Sequence, residues 1–135
     1  MSNFPLEVVT PDRIMFADQA SFVVAPGSEG VLGITAGHAP LLTALAPGVI
    51  KVNLAGGTQE LFATSGGFLQ ITREKVTILA DTAELSGDID LERARRSLQS
   101  AEQQIATTID PYTIAELKAK ATRAQNRIRV AEKRI

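Results

Sequence analysis

The chain has 135 residues, of which 44% are hydrophobic and 21% are charged, as is typical of one globular domain or two small modules. It contains no cysteine and a single histidine, His38, which excludes disulfides, thiolate metal sites and His-rich metal clusters. The net charge of −1 gives no general attraction to nucleic acid, and no apolar run approaches the roughly 18 residues that a membrane helix needs. The first residues show no secretory signal pattern, so we expect a soluble, cytoplasmic protein.

The composition changes sharply near residue 87. All ten glycines and all five phenylalanines lie within residues 1–87, where the net charge is −4, whereas residues 88–135 carry a net charge of +3. Glycine, proline and β-branched residues favour strands and turns, while Ala, Arg, Glu, Gln and Lys favour helices. We therefore predict a β domain over residues 1–87 and a helical domain over residues 88–135, joined at Ser86-Gly87-Asp88.

The first domain is predicted to be all-β, because short apolar stretches recur between turn signals such as Pro26-Gly27-Ser28 and Ala55-Gly56-Gly57. Seven or more short strands of this kind are typical of a sandwich or flattened barrel. The predicted strands are Leu6–Thr10, Ile14–Phe16, Ser21–Ala25, Val49–Leu54, Glu60–Thr64, Phe68–Thr72 and Val76–Ala80.

No catalytic group of residues emerges from this domain. The glycine series from Gly27 to His38 lacks the Gly-Lys-Ser/Thr ending of a phosphate-binding loop, so we interpret it as turns and bulges that join strands. His38 has no second ligand-type residue beside it and is predicted to lie at the surface or in a turn. Ser65 lacks the nucleophile-elbow pattern of hydrolases. We therefore predict that the chain is not an enzyme and needs no cofactor or metal.

The second domain is predicted to be two helices whose apolar residues follow steps of three and four, as in a coiled-coil seam. Asp110 and Pro111 mark the start of the second helix as N-cap and first helical residue, and Asp88 or Asp90 caps the first. The short connection predicts an antiparallel hairpin. The seam residues are Leu91, Ala94, Leu98, Ala101 and Ile105, followed by Ile114, Leu117, Ala121, Ala124, Ile128, Ala131 and Ile135.

Five of the twelve seam positions are alanine, which buries much less apolar area than leucine. The seam is therefore predicted to be weak. Two interpretations stay open: a hairpin fixed on the sandwich, or a hairpin that opens and lays one apolar seam on another protein.

A cluster of basic residues is predicted beside this seam. Lys120, Arg123 and Arg127 share one face of the second helix, and folding the chain about residue 109 brings Arg93 and Asp90 to the same end of the hairpin. Two interpretations stay open here as well. The cluster is either an ordinary surface salt-bridge group, or a site at which guanidinium groups bind the phosphates of a small ligand.

Several segments together resemble the epsilon subunit of bacterial F-type ATP synthases, in the same order and over essentially the whole chain. They are Leu6-Glu7-Val8-Val9-Thr10-Pro11-Asp12, Gly27-Ser28-Glu29-Gly30-Val31-Leu32-Gly33-Ile34, Gly37-His38-Ala39-Pro40-Leu41-Leu42, Ser65-Gly66-Gly67-Phe68-Leu69, Val76-Thr77-Ile78-Leu79-Ala80 and Ala83-Glu84.

The resemblance implies a non-catalytic rotor subunit on the central stalk of the proton-translocating synthase, peripheral to the cytoplasmic face of the bacterial membrane. It implies binding to the gamma subunit and polar contacts with the ring of c subunits through turns that contain Ser28, Glu29 and His38. It also implies regulation: the helices fold closed in one state, and in another they extend toward the alpha and beta subunits and hinder ATP hydrolysis.

The resemblance further implies an ATP site at the start of the first helix. The motif Ile or Leu, Asp, two variable residues, Arg and Ala is matched in full by Ile89-Asp90-Leu91-Glu92-Arg93-Ala94. Two departures, Ser100 in place of an arginine and the added charge of Glu92, predict weaker binding. The residues that the resemblance implies for this ATP site are Glu84, Ile89, Asp90, Arg93, Ala94, Arg123 and Arg127.

One alternative function from another class is a free-standing nucleotide-sensing protein that acts outside any complex. Co-purification with other synthase subunits distinguishes a rotor subunit from such a sensor.

Overall fold

A computed structural model of the chain describes residues 2–133. The internal contacts divide the chain into two compact units, Met1–Leu85 and Ser86–Ile135. The first contains nine strands, β1 Phe4–Val9, β2 Ile14–Gly27, β3 Gly30–Ile34, β4 Leu41–Leu45, β5 Gly48–Leu54, β6 Gln59–Thr64, β7 Gly67–Ile71, β8 Val76–Ala80 and β9 Ala83–Leu85. The second contains a 3-10 turn at Ser86–Asp88 and the helices α1 Leu91–Thr107 and α2 Pro111–Ala131.

The strands form a flattened sandwich in which β2 belongs to both layers. The first half of β2 pairs with β1, and the strand order then runs β1-β8-β7-β4. The second half of β2 pairs with β3 and with β5, which leads on to β6 and β9. All pairs are antiparallel except β1 with β8. A register shift near Ser21 separates the two halves of β2, which lets one strand pass from layer to layer.

The core of the sandwich follows from the alternation of side chains along each strand. In β1 the buried residues are Phe4, Leu6 and Val8, and in β8 they are Val76, Ile78 and Ala80. The central positions are filled by large side chains that are almost completely buried. They include Leu6, Val8, Val23, Ile34, Ile50, Val52, Phe62, Leu69 and Ile78.

The fold class predicted from the sequence, a β-sandwich followed by an antiparallel two-helix hairpin, is confirmed, but the strand list needs correction. The predicted strands Ile14–Phe16 and Ser21–Ala25 are one continuous strand, β2. Three strands were not predicted: β3, β4 and β9. The prediction that the glycine series forms turns and bulges between strands is wrong for Gly30–Ile34, which is strand β3. This segment pairs only with β2 and buries just Ile34, so its pattern lacks the alternation of a packed strand.

Both helices begin at an aspartate that caps its own first turn. Asp90 Oδ1 accepts a hydrogen bond from Arg93 N at 3.0 Å, and Asp110 Oδ2 accepts from Thr113 N at 3.3 Å. Pro111 is the first residue of α2, where its missing N–H costs no helical hydrogen bond. The start of α2 predicted from the sequence is therefore confirmed.

The two helices pack on each other along the predicted seam. Its buried members are Ala94, Ala101, Leu117, Ala121, Ala124 and Ile128, while the leucines of α1 are half-buried. The predicted seam residue Ile135 lies outside the described residues. Toward its end α2 buries a second stripe, Asn126 and Val130, which the seam pattern did not predict. The 3-10 turn packs against α2, which the sequence also did not predict.

Candidate functional site

An apolar row crosses the outer face of the layer β4-β7-β8-β1 and reaches the start of β2. Cross-strand pairing joins its members one after another: Ala44 to Phe68, Phe68 to Leu79, Leu79 to Val9, and Val9 to Ile14. Phe68, Leu79 and Ile14 are 53%, 45% and 59% exposed. We call these five residues the outer apolar row.

The row follows from strand alternation at residues whose neighbours form the core. Leu69 is fully buried, so Phe68 must point to the opposite face of β7. Gly67 precedes it with φ +140°, and a Cβ at this position would lie 2.1 Å from the carbonyl oxygen of Leu79. Only glycine permits so close an approach of β7 and β8 at this point.

The surface beside the row is concave. A shallow depression of about 360 Å³ is lined by Val9, Phe68 and Leu79, with Thr10, Pro11 and Asp81 among its other walls. Leu42, 67% exposed, lies two residues from Ala44 on the same strand. Exposed apolar side chains aligned in this way are typical of a protein–protein interface. The row was not predicted from the sequence, because its five residues become neighbours only when five strands pair.

The three residues predicted to face the c ring occupy two separate places. Ser28 and Glu29 form the exposed two-residue turn between β2 and β3, where Gly27 pairs with Gly30. His38 lies in the exposed loop after β3, and its Nδ1 is 2.8 Å from the Ala39 carbonyl oxygen. The five residues of β3 separate the two places by about 16 Å, so the three residues do not share one turn. The predicted surface position of His38 is confirmed.

The residues predicted to bind ATP include two that are buried and one that caps a helix. Ile89 and Ala94 are buried, with exposures of 9% and 0%. Asp90 is the N-cap of α1. Glu84 belongs to β9 in the first unit and is half-buried.

The arginines of the predicted cluster are more exposed. Arg93 lies in the first turn of α1, and Arg123 on α2 is also exposed, whereas Arg127 is half-buried. The antiparallel packing puts Arg93 and Arg127 at the same end of the hairpin. Within residues 2–133, the guanidinium groups of Arg93 and Arg123 have no hydrogen bond or ion pair. Both are therefore available to an anion.

A different arginine links the two helices. Arg95 Nη2 donates to Glu132 Oε2 at 2.7 Å, and its Nη1 donates to Glu92 Oε1 at 3.1 Å. The hydrogen bond to Glu132 is the main reason why the pKa of Arg95 is raised above its ordinary value. We call this group the Arg95 bridge. The spacing of Glu92 and Arg95 is visible in the sequence, but the partner Glu132 depends on the register of the helices.

Two further features bear on the class of protein. Among residues 2–133, no group of His, Asp or Glu side chains is arranged to hold a metal ion. Neither helix in the described part of the chain is long and apolar enough to cross a membrane.

Comparisons with known proteins identify the fold family. The family model described as the ATP synthase Delta/Epsilon chain, beta-sandwich domain, matches residues 3–86. A relative from Syntrophomonas wolfei, named ATP synthase epsilon chain, is 42% identical over 132 residues, which are 98% of this chain and 96% of the relative. An ATP synthase epsilon chain from Moorella thermoacetica is 39% identical over 97% of this chain and 98% of the relative.

Two solved structures share the fold. A chain of the Euglena gracilis mitochondrial ATP synthase matches with a TM-score of 0.83 and 22% identity, over 93% of this chain and 79% of that one. A chain from the central stalk and c-ring of the Tetrahymena thermophila mitochondrial ATP synthase matches with a TM-score of 0.62 and 16% identity. The match covers 96% of this chain and 97% of that one. The chain belongs to the ATP synthase epsilon chain family. This membership agrees with the prediction of a non-catalytic subunit of a larger enzyme.

Proposed function

We propose that this chain is a rotor subunit on the central stalk of a proton-translocating F-type ATP synthase. In this proposal its sandwich binds the gamma subunit and touches the c ring, and its hairpin regulates ATP hydrolysis. The chain is then held at the cytoplasmic face of the bacterial membrane by other subunits. Full-length similarity to named epsilon chains supports the proposal, as do solved neighbours from synthase assemblies that include the c-ring.

The observation that carries the proposal is the outer apolar row. A row of apolar side chains across five strands is costly to expose to water unless a partner covers it. Phe68 lies between Ala44 and Leu79 in the row, and aromatic side chains in such positions commonly dominate the affinity of an interface. We assign the row to the gamma subunit.

Replacing Phe68 tests this assignment. We expect Phe68→Ser to weaken binding to purified gamma by at least about tenfold, because hot-spot aromatics contribute 2 kcal/mol or more. The variant should keep its strand content, since Phe68 is half exposed. Ile109→Ser removes an apolar side chain that is 94% exposed at the hairpin turn, and it serves as the matched control. Equal affinity of the two variants for gamma would contradict the assignment.

The contact with the c ring is proposed at the Ser28–Glu29 turn, with His38 at the other end of β3. Cysteine substitution introduces a unique thiol, because the chain has no cysteine. In the assembled synthase, we expect a cross-linker at Ser28→Cys to capture a c subunit. A thiol at His38→Cys tests whether the opposite end also lies near the ring. Failure of both positions to capture a c subunit would remove the c-ring contact from the proposal.

Regulation is proposed to depend on the hairpin and on ATP. The alanine-rich seam supports a hairpin that opens, and the available guanidinium groups of Arg93 and Arg123 support binding of phosphate oxygens. Arg127 and Asp90 complete the proposed site on the hairpin, and Glu84 is carried over from the family motif. If ATP binds the closed hairpin better than the open one, high ATP keeps the hairpin closed and low ATP allows it to open.

Two measurements test this part of the proposal. Calorimetric titration of the full chain with ATP should show saturable binding that Arg93→Ala weakens by about tenfold or more, while Arg96→Ala has little effect. Deleting residues 88–135 should leave assembly intact and raise ATP hydrolysis by the synthase. If Arg93→Ala and Arg96→Ala bind ATP equally well, Arg93 is not part of an ATP site. If the truncated chain leaves the rate of ATP hydrolysis unchanged, the hairpin does not regulate hydrolysis.

A further inference from the structure

The Arg95 bridge lies at the end of the hairpin that is farthest from its turn. Arg95 is in the second turn of α1, and Glu132 directly follows the last residue of α2. The connection between the helices, Thr108–Asp110, is at the other end. The bridge therefore joins the two chain segments that would move apart first if the hairpin opened.

The bridge acts on a seam whose buried residues are mostly small. Four of the six buried seam positions are the alanines Ala94, Ala101, Ala121 and Ala124. An alanine methyl group buries much less apolar area than a leucine side chain, so this seam stabilises the closed hairpin less than a leucine seam of the same length would. One exposed ion pair then changes the ratio of the open to the closed state by about two- to fivefold.

The local geometry favours this contact. Long side chains on a helix lean toward its N-terminus, which directs Arg95 toward the open end of the hairpin. Glu92, one turn earlier, binds Nη1 at 3.1 Å and leaves Nη2 directed at Glu132. A planar guanidinium group held at one nitrogen loses less conformational freedom when the other nitrogen is bound. Glu132 in turn is fixed as the C-cap of α2, because its N–H donates to the carbonyl groups of Ile128 and Val130.

We propose that Arg95 is a latch whose bond to Glu132 holds the hairpin closed, so that opening requires this bond to break. The regulatory meaning of the latch rests on the proposed function, in which the hairpin opens. The bond between Arg95 and Glu132 and its effect on opening can be tested on the isolated chain, independently of the proposed function.

A buried thiol in the seam measures opening directly. Ala101 is fully buried, and the chain has no cysteine, so Ala101→Cys introduces a unique thiol that reacts with a thiol reagent only when the seam is exposed. The ratio of its labelling rate to that of an exposed thiol, Gln125→Cys, reports the open population even when that population is small. The latch variants are built on this Ala101→Cys full-length parent.

We expect Arg95→Gln and Glu132→Gln each to raise the labelling rate by about two- to fivefold, as for one exposed ion pair. The double variant should label more slowly than the product of the two single effects predicts, because both single variants remove the bond between Arg95 and Glu132. Arg96→Gln is the matched control. It removes the same charge from the next residue, whose side chain has no partner among residues 2–133. Raising the salt concentration to about 1 M should bring the parent close to Arg95→Gln.

Equal labelling of Arg95→Gln and Arg96→Gln would overturn the latch, and so would a double variant whose effect is the product of the two single effects. The effect of salt on the labelling rate of the parent tests the same bond without a substitution at Arg95. It therefore remains informative if a latch variant folds poorly. Hydrolysis by the assembled synthase is read separately. If the latch variants label faster but deletion of residues 88–135 leaves hydrolysis unchanged, the latch stands and the proposed regulation fails.

Discussion

The sandwich and the hairpin are stabilised in different ways. In the sandwich, large side chains such as Phe62, Leu6 and Ile50 are almost completely buried in one core. In the hairpin, the buried seam is mostly alanine, and ionic and capping groups near the helix ends supply further contacts. Burying a large apolar side chain contributes about 1.5–3 kcal/mol, several times the contribution of one exposed ion pair. We therefore expect the sandwich core to be much more stable than the packing between the two helices.

The largest difference between the two regions should appear on truncating a core residue of the sandwich. Phe62 is completely buried and packs edge-on against Phe16 with ring centres 6.3 Å apart. We expect Phe62→Ala to lower the free energy of unfolding by about 3–5 kcal/mol, measured by urea denaturation. Phe68→Ala makes the same change at a half-exposed position, and it should lower the free energy of unfolding far less. A similar loss for both variants would mean that the outer apolar row contributes to the core.

A smaller effect, confined to the hairpin, is expected at the first helix cap. Asp90→Ala removes the acceptor for Arg93 N and should cost about 1 kcal/mol of helix stability. Amide hydrogen exchange should accelerate in α1 and remain unchanged in the strands. Asp90→Asn keeps an acceptor and should restore most of the protection. Faster exchange throughout the sandwich after Asp90→Ala would contradict the separation of the two regions.

The smallest effect concerns pH at the second helix cap. The Thr113 hydroxyl donates to Asp110 Oδ2 at 2.6 Å, and this bond, with the Thr113 N–H, lowers the pKa of Asp110 below 3.8. Because the pKa is lowered in the folded state, the cap contributes its full stability above pH 3.8 and loses it as the pH falls through the lowered value.

Circular dichroism at helical wavelengths should therefore show a small loss of α2 stability in acid that Asp110→Asn does not show. An identical acid response of Asp110→Asn would assign the loss to other carboxylates.

Much of this architecture could be predicted from local patterns. The alternation in β5 and β8 and the three–four spacing in both helices are set by backbone periods, and Asp110-Pro111 is a strong local start signal. β3 escaped prediction because an edge strand that buries only Ile34 has no alternating pattern to read. β2 appeared as two strands because the chain passes between layers at Ser21, where its pattern is interrupted.

The candidate interface and the latch could not be predicted, because each depends on pairing between distant segments. Phe68 and Leu79 are unremarkable apolar strand residues until the register of β7 on β8 places them side by side. Arg95 and Glu132 are 37 positions apart in the chain, and only the packing of α1 on α2 brings them together. The Ile89–Ala94 motif was found by resemblance, and Ile89 and Ala94 in it also fill buried positions of the hairpin unit.

The two aspartate caps have a mechanical consequence. Asp90 and Asp110 each bond to an amide within the first turn of their own helix, so neither helix depends on the other to define where it starts. If both helices keep their length when they part, they form rods about 25 and 31 Å long, for 17 and 21 residues, joined by a hinge of three residues. The reach of the opened hairpin would then be set by the lengths of α1 and α2.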